Sequence, residues 1–251
     1  MGNPAGSGIV KRQTKDYNFS IKDDGTDYFQ IWSDFREGRI PDRDCTQLRA
    51  IATVDVYLFK AHGQQFIFKT DRGYPHHIDS KLWRILTGPF YSNQMRSINK
   101  AVNSGSTVTA DFYLVAEKRT GLISRESHIL MEYLQGHPLR EEKDTAAFHD
   151  ALVELFQELH RNKMAMCDVH TDNIFVTEQG LRTIDLSWRG VFWTGKGKDI
   201  LALKERMGII YPDQTISDRL SVLYVRLMFW IRYTLRGFRK YVKSRFLKQQ
   251  T

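Results

Sequence analysis

The 251-residue sequence has only two cysteines, Cys45 and Cys167, with no second pair to build a disulfide framework or a four-thiolate metal site. Such usage fits a reducing cytoplasm. Long apolar runs are missing as well. The stretch LSVLYVRLMFWI is about a dozen residues long and contains Arg226, well short of the ~20 apolar residues a membrane span requires. The opening MGNPAGSGIVKRQ has no apolar core of signal-peptide length, and Gly6 stands where a myristoylation signal wants Ser or Thr. Neither export nor a lipid anchor is expected. Internal repeats and low-complexity tracts are absent too, which leaves an ordinary globular composition.

Acidic residues disappear from one end of the chain. After Asp218 there are nine Lys or Arg and no Asp or Glu, so the rest of the protein carries 28 basic against 29 acidic residues. The net charge of +8 is therefore local, and it points to an anionic partner for that segment. Within it, Arg232, Arg236, Arg239 and Lys243 fall on one helical face, and Ile231, Leu235, Phe238, Val242 and Phe246 on the other. Residues 231–248 thus read as a basic amphipathic helix suited to an anionic membrane surface, or as a helix packed on the body with its charges in water. No nucleic-acid motif accompanies the patch.

Along the chain, strand signals come first. Tyr17 to Ile21, Thr53 to Lys60, Gln65 to Lys69, Asp111 to Thr120 and Ser127 to Leu134 are rich in β-branched and aromatic residues. A helical stretch from Asp79 to Val102 interrupts them, broken at Gly88-Pro89. From Asp144, a plausible N-cap, the spacing of Phe148, Leu152, Leu155, Phe156 and Leu159 predicts a helix with one buried face. A hairpin around Gly180 and further helices follow. The order implies an α+β chain in two lobes: residues 1–134 mainly an antiparallel sheet, 135–251 mainly helical.

Chemistry concentrates in MAMCDVHTDNIFVTEQGLRTIDLS, Met164 to Ser187. Phosphoryl transfer needs a carboxylate to orient the attacking hydroxyl and oxygen ligands to hold magnesium against the phosphates. Asp168 and Asn173 stand five apart after a helix, and Asp185 ends the next hairpin. Singly, each would read as a turn former or a surface carboxylate. The joint spacing is what points to function.

The segment CDVHTDNIFV resembles the catalytic loop of the protein-kinase-like superfamily, especially its small-molecule branch. That resemblance implies a catalytic base at Asp168, magnesium ligands at Asn173 and Asp185, and ATP as the donor. It also places the phosphate-binding lysine at Lys69, with Asp79 as its acidic partner, and a hinge reading adenine at Glu132 to Leu134. Two features depart from ordinary kinases. Met166 replaces the His that usually precedes the base, and Gly63 is the sole glycine of the hairpin before Lys69, where a glycine-rich loop is usual. Asp199 is expected to brace the catalytic loop.

A narrower resemblance spans Thr53 to Ile210. DFYLVAEKRT, MEYLQGHPL, the Asp-x-His-x-x-Asn loop, IDLS and KGKDILALKERMGI, in that order, resemble the lipopolysaccharide core heptose kinases of Gram-negative bacteria, a family sharing both departures. It implies ATP- and magnesium-dependent phosphorylation of a heptose hydroxyl on lipid-linked core oligosaccharide, at the cytoplasmic face of the inner membrane. The alternatives are a kinase for another small hydroxylated acceptor, such as an aminoglycoside, or for protein, and a pseudokinase scaffold at the membrane surface.

Overall fold

The structure is a computed structural model describing residues 8–72, 90–120, 123–186, 192–212 and 214–248. Seven antiparallel strands form the larger sheet in the order β1-β2-β6-β7-β5-β4-β3. These are β1 (Gly8–Gln13), β2 (Tyr17–Asp23), β3 (Cys45–Ile51), β4 (Val54–Ala61), β5 (Gln64–Asp71), β6 (Phe112–Thr120) and β7 (Ile123–Glu132). A smaller sheet, β8 (Gly136–Pro138), β9 (Ile174–Thr177) and β10 (Gly180–Thr183), lies in the order β10-β9-β8. Helices α1 (Tyr28–Arg36) and α2 (Phe90–Asn103) accompany the large sheet, while α3 (His149–Arg161), α4 (Phe192–Met207) and α5 (Ile216–Lys248) build the rest. The chain is thus α+β, with an antiparallel sheet lobe followed by a mainly helical one.

Alternation along β5 sets the site. Phe66, Phe68 and Thr70 are buried on one face, so Ile67, Lys69 and Asp71 occupy the other, the face lining the cleft between the lobes. On the outer face Phe66 and Phe68 join Phe19, Phe59, Leu114 and Leu130 under Tyr28 and Ile31 of α1. Phe35 stacks on Phe68 with centroids 4.2 Å apart. Asp27 caps α1 by accepting from the Gln30 N–H at 3.0 Å. This aromatic layer holds β5, and with it Lys69, rigidly in register with β4 and β7.

The second core lies on the cleft side. It joins Met95 and Ile98 of α2, Val115 and Ile129 of the sheet, and Leu152, Leu155, Phe156 and Leu159 of α3 with Met164, Met166 and Val169. One hydrophobic cluster therefore spans both lobes and runs directly beneath the predicted catalytic loop. A strap reinforces it: Ala110 N–H donates to Thr183 O and Thr183 N–H to Val108 O, both at 2.9 Å.

The predicted strands stand where the pattern put them, within a few residues. Asp144 caps a short 3-10 turn, Thr145–Phe148, that leads into α3. The stretch 73–89, including Asp79, lies outside the described residues, so the helix expected from Asp79 is described only as α2, from Phe90. Residues 231–248 belong to one continuous helix that already starts at Ile216. No described helix is long and apolar enough to cross a membrane.

Candidate active site

The loop from Met164 to Asn173 is positioned by a buried carboxylate. Asp199 of α4 is fully buried. Its Oδ2 accepts the Met166 N–H at 3.0 Å and its Oδ1 the Cys167 N–H at 2.6 Å. Cys167 has φ +60°, a left-handed conformation that costs an ordinary residue energy and is held here by that bond. Asp199 braces the loop, as the sequence suggested.

His160 of α3 completes the brace. Its Nε2 lies 3.2 Å from Asp199 Oδ2 and its Nδ1 2.9 Å from the Tyr211 hydroxyl. Burial first, then the charges of Asp218 and Asp199, push the Tyr211 phenol up to about 12, so it stays an O–H donor to Nδ1. That leaves Nε2–H to donate to Asp199. In this fold Met166 is buried two residues before Asp168, and His160 supplies polar support to Asp199 from the preceding helix.

The loop then turns through a 3-10 element, Thr171–Asn173, which places Asn173 at the start of β9. Asn173 N–H donates to His170 O at 3.0 Å, and Asn173 O accepts the Ile184 N–H at 3.1 Å. The second bond clamps Asn173 beside Asp185. On the far side, Gln94 of α2 donates from Nε2 to Leu186 O at 2.8 Å, fixing the residue after Asp185 from the sheet lobe.

The cleft has a volume of about 830 Å³, and Lys69, Asn173 and Asp185 all line it. Lys69 Nζ stands 3.6 Å from Asp185 Oδ2. Among the described residues Asp185 is an acidic neighbour of the lysine; Asp79, expected as its partner, lies outside the described residues. The amide oxygen of Asn173 and the carboxylate of Asp185 are hard oxygen donors. They fit magnesium, which is ordinarily held by one or two carboxylates plus phosphates and water. No group of three or more His, Cys, Asp or Glu that could hold a metal exists among the described residues.

At the hinge, Leu134 is buried, and both Glu132 and Leu134 border the cleft. Glu132 N–H donates to Asp111 O at 2.9 Å. Its carboxylate is held by protein groups: Arg182 Nη1 and Nη2 donate to it at 2.8 and 2.7 Å, and the Asp111 N–H at 3.0 Å. Arg182 also donates to Thr107 O and Thr109 O. This fork pins the hinge to β10 across the lobes.

Asp168 sits apart from the cleft-lining residues, with its carboxylate about half exposed. Arg206 Nη1 and His170 Nε2 each lie 3.3 Å from its Oδ1. Arg206 is anchored by the Val169 carbonyl at 2.9 Å. Nearby, Arg140 and Asp172 pair at 2.7 Å. The structure therefore brings Lys69, Asn173 and Asp185 together in the cleft and sets Asp168 outside its lining, beside Arg206 and His170.

Sequence reasoning passed over His160, Gln94 and Arg206. His160 was legible in principle, since it continues the buried α3 stripe at the eighth position after Leu152, and a polar residue on an apolar stripe calls for a partner. Gln94 and Arg206 act through tertiary contacts that no local pattern announces.

The model of the family described as lipopolysaccharide core biosynthesis protein (WaaY) matches residues 8–245. A relative named lipopolysaccharide core heptose(II) kinase WaaY, from Escherichia coli, is 25% identical over 202 residues, covering 80% of this chain and 87% of its own. A protein of the same name from Escherichia coli strain K12 is 26% identical over 205 residues, covering 80% and 86%. Among solved structures, one described as WaaP in complex with acyl carrier protein aligns over 85% of this chain and 87% of its own, at 17% identity and a TM-score of 0.46. With nearly its whole length matched by the family model, the chain belongs to the WaaY family of lipopolysaccharide core biosynthesis proteins.

Proposed function

We propose that this chain is a kinase that moves the γ-phosphate of ATP onto a heptose hydroxyl of the lipopolysaccharide inner core. The observation that carries the reading is the grouping of Lys69, Asn173 and Asp185 in one cleft, with the Asp168 loop braced at its edge by Asp199, in a chain of this family.

Each residue then has a task. The Lys69 ammonium neutralises phosphate oxygens, and its short distance to Asp185 keeps it aimed at the same spot as the magnesium ligands. Asn173 and Asp185 would hold magnesium, which would supply positive charge against the triphosphate. The Glu132 carbonyl and Leu134 amide face adenine. Asp168 orients the acceptor hydroxyl and takes its proton as the new phosphorus–oxygen bond forms and the bond to ADP breaks. Arg206, anchored on the Val169 carbonyl, keeps the carboxylate in place. The acceptor is lipid-linked, so the enzyme works peripherally at the cytoplasmic face of the inner membrane, drawn there by its basic C-terminal segment.

The test is a panel of acceptors with labelled ATP and magnesium: dephosphorylated core oligosaccharide, aminoglycosides and a generic protein substrate. Label on the core alone, mapped to a heptose, is the expected result. Label only on another acceptor would keep the kinase and discard the substrate. ATP binding with no transfer to any acceptor would point to the scaffold alternative.

A further inference from the structure

Helix α5 wears its polarity inside out. Its inward face carries Asp218, Ser221 and Val225, all buried. Asp218 pairs with Lys196 of α4 at 2.7 Å, and Ser221 Oγ donates to Trp193 O at 2.6 Å. The opposite face presents Ile216, Leu220, Leu223, Leu227 and Trp230, at successive spacings of four and three residues, all exposed. Leu223 is 63% exposed, Leu227 51% and Trp230 64%. A surface helix normally turns such a stripe to the core; this one turns it to solvent. Beyond Val225 no described side chain of the helix is buried.

The geometry points to this outward stripe as a membrane-docking surface that inserts into an anionic bilayer interface, with the basic distal half of the same helix lying over the headgroups. Three observations select a bilayer. The helix carries nine Lys or Arg after Asp218 and no acid, and exposed Arg219 and Arg226 flank the stripe, which complements anionic lipid. Trp230, Tyr224 and Tyr233 are exposed, and such aromatics favour the membrane–water boundary. The stripe is too short and too interrupted by charge to span, which suits a helix lying in the interface plane. A second copy fits less well, because pairing two such helices would align like charges along their length.

The docking helix is wired to the catalytic loop. Arg226 of α5 reaches Glu205 of α4 at 3.4 Å, and the next residue, Arg206, holds Asp168. Trp193 Nε1 of α4 donates to Ser217 O at 3.0 Å. A docked α5 therefore fixes the height of the Asp168 edge above the bilayer. This consequence rests on the proposed lipid-linked acceptor; the docking itself does not.

The test uses the full chain and the double variant Leu223→Glu, Leu227→Glu, whose positions are exposed and leave the core untouched. Sedimentation with phosphatidylcholine vesicles, with and without phosphatidylglycerol, should show wild-type binding only to anionic vesicles and a loss of roughly tenfold or more in the variant. Thermal unfolding should be unchanged. Transfer to delipidated core should be equal in both proteins, and transfer to vesicle-embedded acceptor reduced in the variant. Unchanged vesicle binding would overturn the proposal. So would a wild-type dimer that the variant converts to monomer, which would assign the stripe to a second copy. If neither protein labels either acceptor while vesicle binding follows the expected pattern, the kinase reading fails and the docking surface stands.

Discussion

Asp199 is the residue on which the loop geometry depends. Its carboxylate accepts two loop amides and faces His160 in a fully buried setting. Asp199→Ala leaves those donors unpaired, at a cost of ~1–3 kcal/mol for each buried group. The expected outcome is a clear drop in melting temperature, with kcat falling far more than the KM for ATP rises, because Lys69 and the hinge do not touch Asp199. Steady-state kinetics beside calorimetry would check it. Losses of equal size in both constants would remove Asp199 from the positioning role.

A second residue sets acid sensitivity. His128 is fully buried on β7, where it accepts from Trp32 Nε1 and touches Glu126. Burial pushes the imidazole down to about 4; Arg36 and Arg72 push the same way, while Glu126 opposes them. Its folded pKa lies below the unfolded value near 6.5, so the unfolded chain binds more protons between those limits. Stability then falls as pH drops through that window, by about 2 kcal/mol between pH 7 and pH 5. Urea unfolding at the two pH values should show this loss in wild type and a much smaller one in His128→Gln. An equal loss in both would assign the sensitivity elsewhere.

At the scale of elements, α4 and α5 approach each other closely at Gly197. A Cβ added at Gly197 would stand 2.1 Å from Ser221 Oγ and 2.9 Å from the Ser221 carbonyl carbon. Gly197→Ala should therefore push α5 from α4 and cost ~1–3 kcal/mol by overpacking, read as a lower melting temperature. Unaltered stability would mean that the helices separate freely. Gly136 is similarly confined, with a Cβ there 2.2 Å from Val176 O.

The elements that the sequence announced are those whose signal is local. β5 and β7 follow from β-branched and aromatic runs, and α3 from its apolar stripe. The elements it left unannounced, β1, α1 and β3, have weaker patterns: β1 is GIVKRQ with one half-buried residue, and β3 is exposed over most of its length. Such edge strands owe their pairing to the neighbours they meet. In the site, Lys69 was legible through its resemblance to a kinase strand lysine, and alternation along β5 carries it to the cleft. The Arg182–Glu132 fork and the Arg206 contact were not, because both join residues 38 or more apart. For α5, the pattern pointed to an apolar stripe at residues 231–248, most of whose side chains lie outside those described; the exposed apolar face from Ile216 to Trp230 lies upstream of it and was not announced.

On the scale of the whole molecule, the cleft and the charged helix α5 are distinct parts of one scaffold. The cleft is formed between the lobes, and the excess of positive charge trails along α5. Truncation after Tyr233 removes six of the nine terminal basic residues, each contributing ~1 kcal/mol near an anionic surface. The shortened protein should bind anionic vesicles more weakly, most visibly at low salt, while its turnover of soluble acceptor persists. Unchanged vesicle binding would make the tail structural.

The most direct test of the central claim is transfer of labelled γ-phosphate from ATP, with magnesium, to dephosphorylated lipopolysaccharide core, comparing wild type with Asp168→Ala. Removal of a general base typically costs about 10²–10⁴-fold. Because Asp168 stands outside the cleft lining, ATP affinity should be nearly unaltered. The account expects label on the core with wild type and almost none with the variant, at equal nucleotide binding. Full transfer by the variant, or none by wild type despite bound ATP, would contradict it.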